Sequence, residues 1–283
     1  MRLTSDYARV RVPAVATGFG PGLKEVGIAL DIWDEVSVTL TTGQTRVTIL
    51  GEGNRTLPRD GSHMVARALS LALERVGAPI AGFDLICRNA IPRGMGVGDQ
   101  AAEAVAGVAL ARELLDEPGA LGEEQMLAIA TELVGSPSAA AAALRGGATL
   151  AWTDAGAPTS RPLVVAENLP LALLLPPNEG QISADAGAPD SPLRAAMFLH
   201  ALEREPSLIA AATRGVNAKG PSIGESLMRG LRSAGWPAVY TGGGPALVVF
   251  AKVAPAMGMS LAESGIKLIR TSVAGGVHPV SGK

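Results

Sequence analysis

Three glycines at alternate positions, Gly94, Gly96 and Gly98, separate a β-like segment (Phe83 to Arg88) from an Ala-rich stretch that begins at Asp99. A strand that enters a glycine loop and opens a helix offers backbone N–H groups and a helix N-terminus, which is chemistry for holding an anion. Asp99 stands where that anion would sit. An ionised carboxylate only accepts hydrogen bonds. One like-charge contact at ~4 Å in an effective dielectric near 20 costs about 4 kcal/mol, roughly a thousandfold in binding. The loop has the shape of a phosphate cradle and the opposite charge.

Other residues invite chemistry, each beside a plainer reading. Lys24 reads as a cation for an anionic substrate or a desolvated amine with lowered pKa, against a solvated loop lysine. Glu25 is a general base or a helix-start acid. Asp99 is a general acid or base, or simply an N-cap. Gln100 orients a ligand or fills space. Arg93 takes a carboxylate bidentately or is a surface arginine. Ser136 and Ser138 bond a ligand or cap the Ala-rich turn that follows. Gly242, Gly243 and Gly244 form a second glycine loop, entered by Tyr240 and Thr241, which line a cleft or pack at a strand end. His63 reads as a structural residue at a helix start and Cys87 as inert core. No Ser-His-Asp or metal-ligand spacing appears, and no metal is expected.

These residues need elements to hold them. Strands are expected over 7–12, 26–30 leading into 35–40, 45–50 pairing with 35–40, 83–88, 148–153, 171–175, 238–240 and 246–250, with a weaker one over 266–273. Helices are expected over 61–76, 99–115, 122–134, 194–213 and 221–234, with a short helical turn over 139–144. The first has Ser62 as N-cap and Met64, Ala68, Leu71 and Val76 as its apolar stripe. The Pro/Gly/Ala stretch 154–162 reads as a linker and 176–193 as a mobile loop. Strands both adjacent to one another and interleaved with helices indicate an α+β fold. The expected domains are 1–153 and 163–283.

The chain has 283 residues, 47% hydrophobic and 18% charged, with a net charge of −2. That excludes a disordered chain and leaves no basic surface for nucleic acid. A single cysteine excludes an internal disulfide framework and a Cys-based zinc site. No leader pattern and no apolar run of ~18 residues is present, so a soluble cytoplasmic protein with a small-molecule partner is expected.

Four ordered segments together resemble the GHMP kinase superfamily, and most closely homoserine kinase of the actinobacterial type. They are Val12-Pro13-Ala14 through Gly20-Pro21-Gly22 to Trp33-Asp34-Glu35; Cys87 through the first glycine loop to Ala106-Gly107; Gly135 through Gly146-Gly147 to Asp154; and Gly242 to Leu247. The resemblance implies a two-domain α+β fold with its site in the interdomain cleft. It also implies ATP·Mg binding, phosphorylation of a small alcohol largely by positioning and electrostatics, and a homodimer.

The departures from the family's pattern fall on the chemistry. Where the family reads Gly-Leu-Gly-Ser-Ser-Ala-Ala, this chain has Gly96-Val97-Gly98-Asp99-Gln100-Ala101-Ala102. Where it reads Glu-Gly-His-Pro-Asp-Asn, with the glutamate on the metal, here stand Val134-Gly135-Ser136-Pro137-Ser138-Ala139. The asparagine and aspartate that hold the amino-acid substrate correspond to Gly18 and Lys24. In the 176–193 loop, Thr-Ala-Glu-Thr-Arg corresponds to Ser183-Ala184-Asp185-Ala186-Gly187, without the arginine for the substrate carboxylate. The expectation is a kinase scaffold with a rewritten cleft: a non-kinase enzyme of specialised biosynthesis, needing no cofactor, that cyclises, isomerises or eliminates a small polar metabolite. Lys24, Asp99 and Glu25 would do the acid–base work. Gly18, Arg93, Gln100, Ser136, Ser138, Ser183, Asp185, Tyr240 and Thr241 would bind substrate. The alternatives are a small-molecule kinase using ATP and Mg with Asp99 on the metal, and a catalytically inactive protein that binds a metabolite or partner.

Overall fold

β1 (Tyr7–Thr17) begins with Arg9 and Arg11 alternating with the buried Val10 and Val12, then runs on through Pro13, Ala14, Val15 and Ala16, all buried. The alternation ends at Pro13, where the register against the next strand shifts; proline has no N–H to give a ladder, and a bulge absorbs it. The computed structural model describes residues 2–19, 23–79, 82–167, 169–177, 183–184, 191–213, 218–219 and 222–280. The segments expected at 26–30 and 35–40 are one strand, β2 (Val26–Thr41). It pairs with β1 and lies at the centre of the first sheet.

β3 (Arg46–Gly51) does not pair with β2 as expected. After α1 (Met64–Arg75) the chain returns as β4 (Gly82–Asn89), which takes the place beside β2 and leaves β3 parallel to β4 at the edge. A crossover through α1 makes that parallel pair, a connection that strand alternation alone does not disclose. α1 begins three residues later than the expected helix, at Met64 rather than Gly61, and its N-cap one residue later. Its N-cap is His63, whose Nδ1 accepts the Val65 N–H at 3.2 Å, while Ser62 bonds Asp60 instead. Its buried residues are Val65, Ala66, Ala68, Leu69, Ala72 and Leu73; of the expected stripe Ala68 is buried, while Met64, Leu71 and Val76 are only partly covered.

α2 (Asp99–Leu114) is buried on nearly every side: twelve of its residues lose solvent. A helix enclosed all round needs small side chains, and alanines supply them. A Cβ at Gly107 would stand 2.5 Å from the Val65 carbonyl oxygen, so α1 and α2 touch backbone to backbone there. α3 (Glu123–Val134) and α4 (Pro137–Arg145) complete the helical layer, with the break at Ser136-Pro137 that the sequence signals. β5 (Ala148–Asp154) joins β2. The stretch read as a linker is the turn and second strand of a hairpin: β6 (Ala157–Leu163) pairs with β5 along its whole length. Alternation is weak there because Pro158 and Pro162 interrupt it.

The second sheet contains β7 (Leu171–Leu175), which lies between partners. β8 (Ser183–Ala184) stands apart in a two-stranded ribbon. α5 (Ser191–Glu203) and α6 (Ile209–Thr213) replace the single helix expected over 194–213, which Pro206 breaks. β9 (Ala218–Lys219) completes the ribbon. α7 (Ser222–Ser233), β10 (Ala238–Tyr240) and β11 (Leu247–Val249) follow, then α8 (Pro255–Glu263), which was not foreseen, and β12 (Lys267–Thr271). The sheet order is β10-β11-β7-β12. Residues 273–280 then cross back to the first sheet, where β13 (His278–Pro279) pairs with β1 at Val10 and Arg11. Phe19, two residues past β1, stacks on Phe198 of α5 at 5.2 Å and meets Phe250 edge-on at 6.0 Å, tying the two halves through a cluster of three rings. No described helix is long and apolar enough to cross a membrane.

α4 lies directly on β2 at Gly27, where a Cβ would overlap the Ser138 carbonyl and stand 2.8 Å from the Ala142 Cβ. Gly27→Ala is expected to cost about 1–3 kcal/mol by overpacking. Urea unfolding measures it, and an unchanged midpoint would show that α4 does not seat there.

Candidate functional site

The first glycine loop, between β4 and α2, packs on the second, between β10 and β11. Gly96 has φ +78°, and a Cβ on it would overlap the Thr241 carbonyl and stand 2.5 Å from the Gly244 nitrogen. Gly242 and Gly244 have no room for a Cβ against Met95 and Gly96 either. The Thr241 hydroxyl, fully buried, pins the arrangement. It accepts the Thr17 N–H at 2.9 Å and lies 3.1 Å from the Gly96 carbonyl. The Gly242 N–H reaches the Thr17 carbonyl, and the Ala246 N–H the Met95 carbonyl. Gly98, at φ +73°, takes the left-handed turn into α2 and sits against Val15.

Above this interlock is a cavity of about 260 Å³, lined by Gly94, Gly96, Gly98 and the first turn of α2 on one side and by Gly242, Gly243 and Gly244 on the other. Thr17, Val134, Ser136 and Ala139 complete it. It therefore draws on β1, α2, the α3–α4 junction and the β10–β11 turn. Its walls carry one charged group, Asp99. The first N–H groups of α2 have no intrahelical partner, and no side chain caps them. Asp99, Gln100 and Ala101, which bear those groups, all line the cavity.

The structure gathers only part of the expected site. Asp99, Gln100, Ser136 and both sets of glycines meet. Ser136 is shared, since its hydroxyl also caps α4 at the Ala139 N–H. Ser138 donates to the Lys24 carbonyl at 2.8 Å and belongs to the α4–β2 contact. Lys24 and Glu25 are exposed in the turn before β2 and do not line the cavity. Gly18 passes Gly242 without lining it. Thr241 is consumed by the clamp. Tyr240 is turned into the second core, where burial pushes its phenol up to about 12 and its hydroxyl faces Gly224 of α7. Ser183 is described through its backbone in the β8–β9 ribbon, and Asp185 lies outside the described residues.

Arg93 is neither at the surface nor free for a substrate carboxylate. Its Nη1 donates to Glu103 at 2.6 Å and its Nη2 stands 3.4 Å from the Asp99 carboxylate. Behind it lie groups that the sequence reading missed. Asp34 of β2 is buried and accepts the Ala90 and Ile91 N–H groups at 2.7 and 2.8 Å. Burial pushes it up to about 6 in spite of those bonds. Burial likewise pushes Glu103 up to about 7 against the pull of Arg93. Desolvation holds His63 down to about 4, so its ring is neutral. With Nδ1 accepting, the proton is on Nε2, 3.9 Å from Glu103 and without a hydrogen-bond partner. Cys87 is buried, as expected, with its thiol pushed up to about 12 by burial. The missed signals were positional. Asp34 shares an inward face with Val36 and Val38, and Glu103 is four residues from Asp99 on an alanine helix, hence on the same face.

Magnesium takes near-octahedral oxygen ligands and is usually held by one or two carboxylates together with substrate phosphates. The cavity offers one carboxylate, already paired with Arg93, and two hydroxyls, one of which caps a helix; Val134 presents hydrocarbon. Among the described residues no three His, Cys, Asp or Glu side chains are grouped to hold a metal. This donor set does not fit a magnesium triphosphate.

Residues 63–147 match the family of GHMP kinase N-terminal domains. The chain is 35% identical to a homoserine kinase from Streptomyces avermitilis, over 88% of this chain and 87% of that one. It is 32% identical to a homoserine kinase from Corynebacterium glutamicum, over 95% and 94%. The solved homoserine kinase from Cytophaga hutchinsonii superposes with a TM-score of 0.81 at 22% identity, covering 98% of each chain. The fold is that of the GHMP kinases, and the chain belongs to their homoserine kinase family.

Two outcomes follow. Thr241→Val leaves the buried Thr17 N–H without its acceptor and is expected to cost about 1–3 kcal/mol in unfolding free energy. A smaller loss than about 0.5 kcal/mol would show that the clamp is dispensable. Because the folded Glu103 carboxyl titrates above its unfolded value, its contribution is full at low pH and is lost as pH rises through about 7. The stability of the wild type relative to Glu103→Gln should therefore fall between about pH 4.5 and pH 7, by on the order of 3 kcal/mol. Parallel urea profiles at the two ends would contradict it.

Proposed function

We propose that this member of the homoserine kinase family does not transfer phosphate from ATP but performs acid–base chemistry on a small polar metabolite. The observation that carries the reading is the position of Asp99: an arginine-paired carboxylate on the cavity wall, in the helix turn whose N–H groups would otherwise receive a phosphate. Asp99 is the proton acceptor. The unpartnered N–H groups of Asp99, Gln100 and Ala101 lie beside it and hold a substrate oxygen that becomes negative. Charge moves from carboxylate to oxygen as the proton is taken, so the two are not negative at once. That pairing suits proton abstraction beside a carbonyl, the first step of isomerisations and many eliminations. Gln100 and Ser136 orient the substrate. No cofactor is required, and Lys24 and Glu25 have no part in the proton transfer.

One observation favours a second reading, a kinase with Asp99 on the metal: both glycine loops keep their geometry, and identity to homoserine kinases extends over most of the chain. Calorimetry and an ADP-release assay with ATP·Mg and homoserine separate the two. The wild type is expected to give no saturable heat and no ADP. Asp99→Ser, relieved of one like charge, is expected to bind ATP·Mg more tightly by up to roughly a thousandfold. Phosphate transfer to homoserine by the wild type would sink the proposal.

A further inference from the structure

We propose that Arg93 is a positioning residue for Asp99, and that the charge state of the buried Glu103 sets how much of the Arg93 charge Asp99 receives. The proposal rests on Asp99 being the cavity's proton acceptor.

Asp99 and Glu103 are four residues apart on α2 and so lie on one face, where two ionised acids repel. Arg93 reaches that face from the loop before Gly94 and places one nitrogen on each acid, 2.6 Å from Glu103 and 3.4 Å from Asp99. The guanidinium holds Asp99 at the edge of the cavity and keeps both acids on one fork. It cannot itself pass a proton, because it does not deprotonate in proteins. The coupling is therefore electrostatic. With Glu103 ionised, one positive charge is divided between two carboxylates. With Glu103 protonated, that charge acts on Asp99 alone. Asp99 is thus the stronger base when Glu103 is ionised.

The surroundings of Glu103 make it responsive. It is 4% exposed. The groups facing it are Arg93 and Asp99, Asp34 from β2, Cys87 from β4 and the neutral His63 at the start of α1. The His63 N–H points towards it without reaching bonding distance, and Asp34 adds negative charge. Only Arg93 opposes its protonation, so Glu103 changes charge in the neutral range, where a cavity acid–base group has to work.

The test needs no substrate. The side-chain carboxyl carbon of Asp99 is followed by NMR across roughly pH 3 to 9 in the wild type, Glu103→Gln, Arg93→Lys and Arg93→Met. Removing the Glu103 charge should move the Asp99 midpoint down by about one unit, a tenfold fall in proton affinity. Arg93→Met should move it up by at least as much, with Arg93→Lys between. In the wild type the Asp99 resonance should show a second inflection where Glu103 titrates, absent in Glu103→Gln. If Arg93→Met does not fold, Glu103→Gln and Arg93→Lys decide. Asp99 curves that coincide in the wild type and Glu103→Gln within about 0.2 units would overturn the proposal. The outcome is separable from that of the functional reading. A coupled Asp99 in a protein that phosphorylates homoserine sinks only the acid–base assignment. An uncoupled Asp99 in a protein blind to ATP·Mg sinks only the coupling.

Discussion

The backbone of Gly96 lies against those of Gly242 and Gly244 with no space for a Cβ on any of them, and the cavity exists because of that contact. Thr241 closes it, joining the end of β1 to two loops that are 145 residues apart in the chain. Two walls of the cavity are fastened to this junction: α2 begins three residues beyond Gly96, and β10 and β11 enter and leave the other loop. Glycine at each crossing, left-handed at Gly96 and Gly242, is thus a requirement of assembly before it is a requirement of ligand binding. A side chain at any of them would push the two loops apart.

The electrostatics beneath the loop follow a different logic. Three carboxyls, Asp34, Asp99 and Glu103, surround one guanidinium in a region from which water is largely excluded. At low dielectric such a group cannot carry full negative charge, so the deeper acids take up protons more readily while the outermost remains paired. The neutral His63 completes a boundary that supplies no second positive charge. The result is a cavity acid, Asp99, whose surroundings are set from behind by residues that do not themselves line the cavity.

Much of this was readable beforehand, and the boundary of what was readable has physical causes. The glycine loop, Asp99 at the head of α2, the Ser136-Pro137 break and the order of family segments are local patterns, and the structure places them as expected. The pairing of β3 with β4 and the strand at Ala157–Leu163 depend on partners elsewhere in the chain, and prolines hid the latter. Lys24 was judged by its alignment to a family acid, but the turn before β2 points it to solvent. Arg93 was judged alone. Its meaning comes from Glu103, which the four-residue spacing sets on the same helix face as Asp99 and which the fold buries. Thr241 and Tyr240 are adjacent, yet strand alternation sends one to the clamp and the other into the second core.

The return of residues 273–280 to the first sheet has a consequence for how the protein is made. β13 covers the edge of β1, the Val277 N–H bonds the Ala143 carbonyl, and the Val280 N–H bonds the Arg9 carbonyl. On a ribosome β1 and β13 emerge roughly 270 residues apart, some tens of seconds at about 5–20 residues per second. Through that interval the first half carries an open strand edge, a template for pairing with other chains. Closure of this edge of the first sheet therefore waits on the pairing of Val10 and Arg11 with Pro279 and His278, a contact that no local element of the first half can supply.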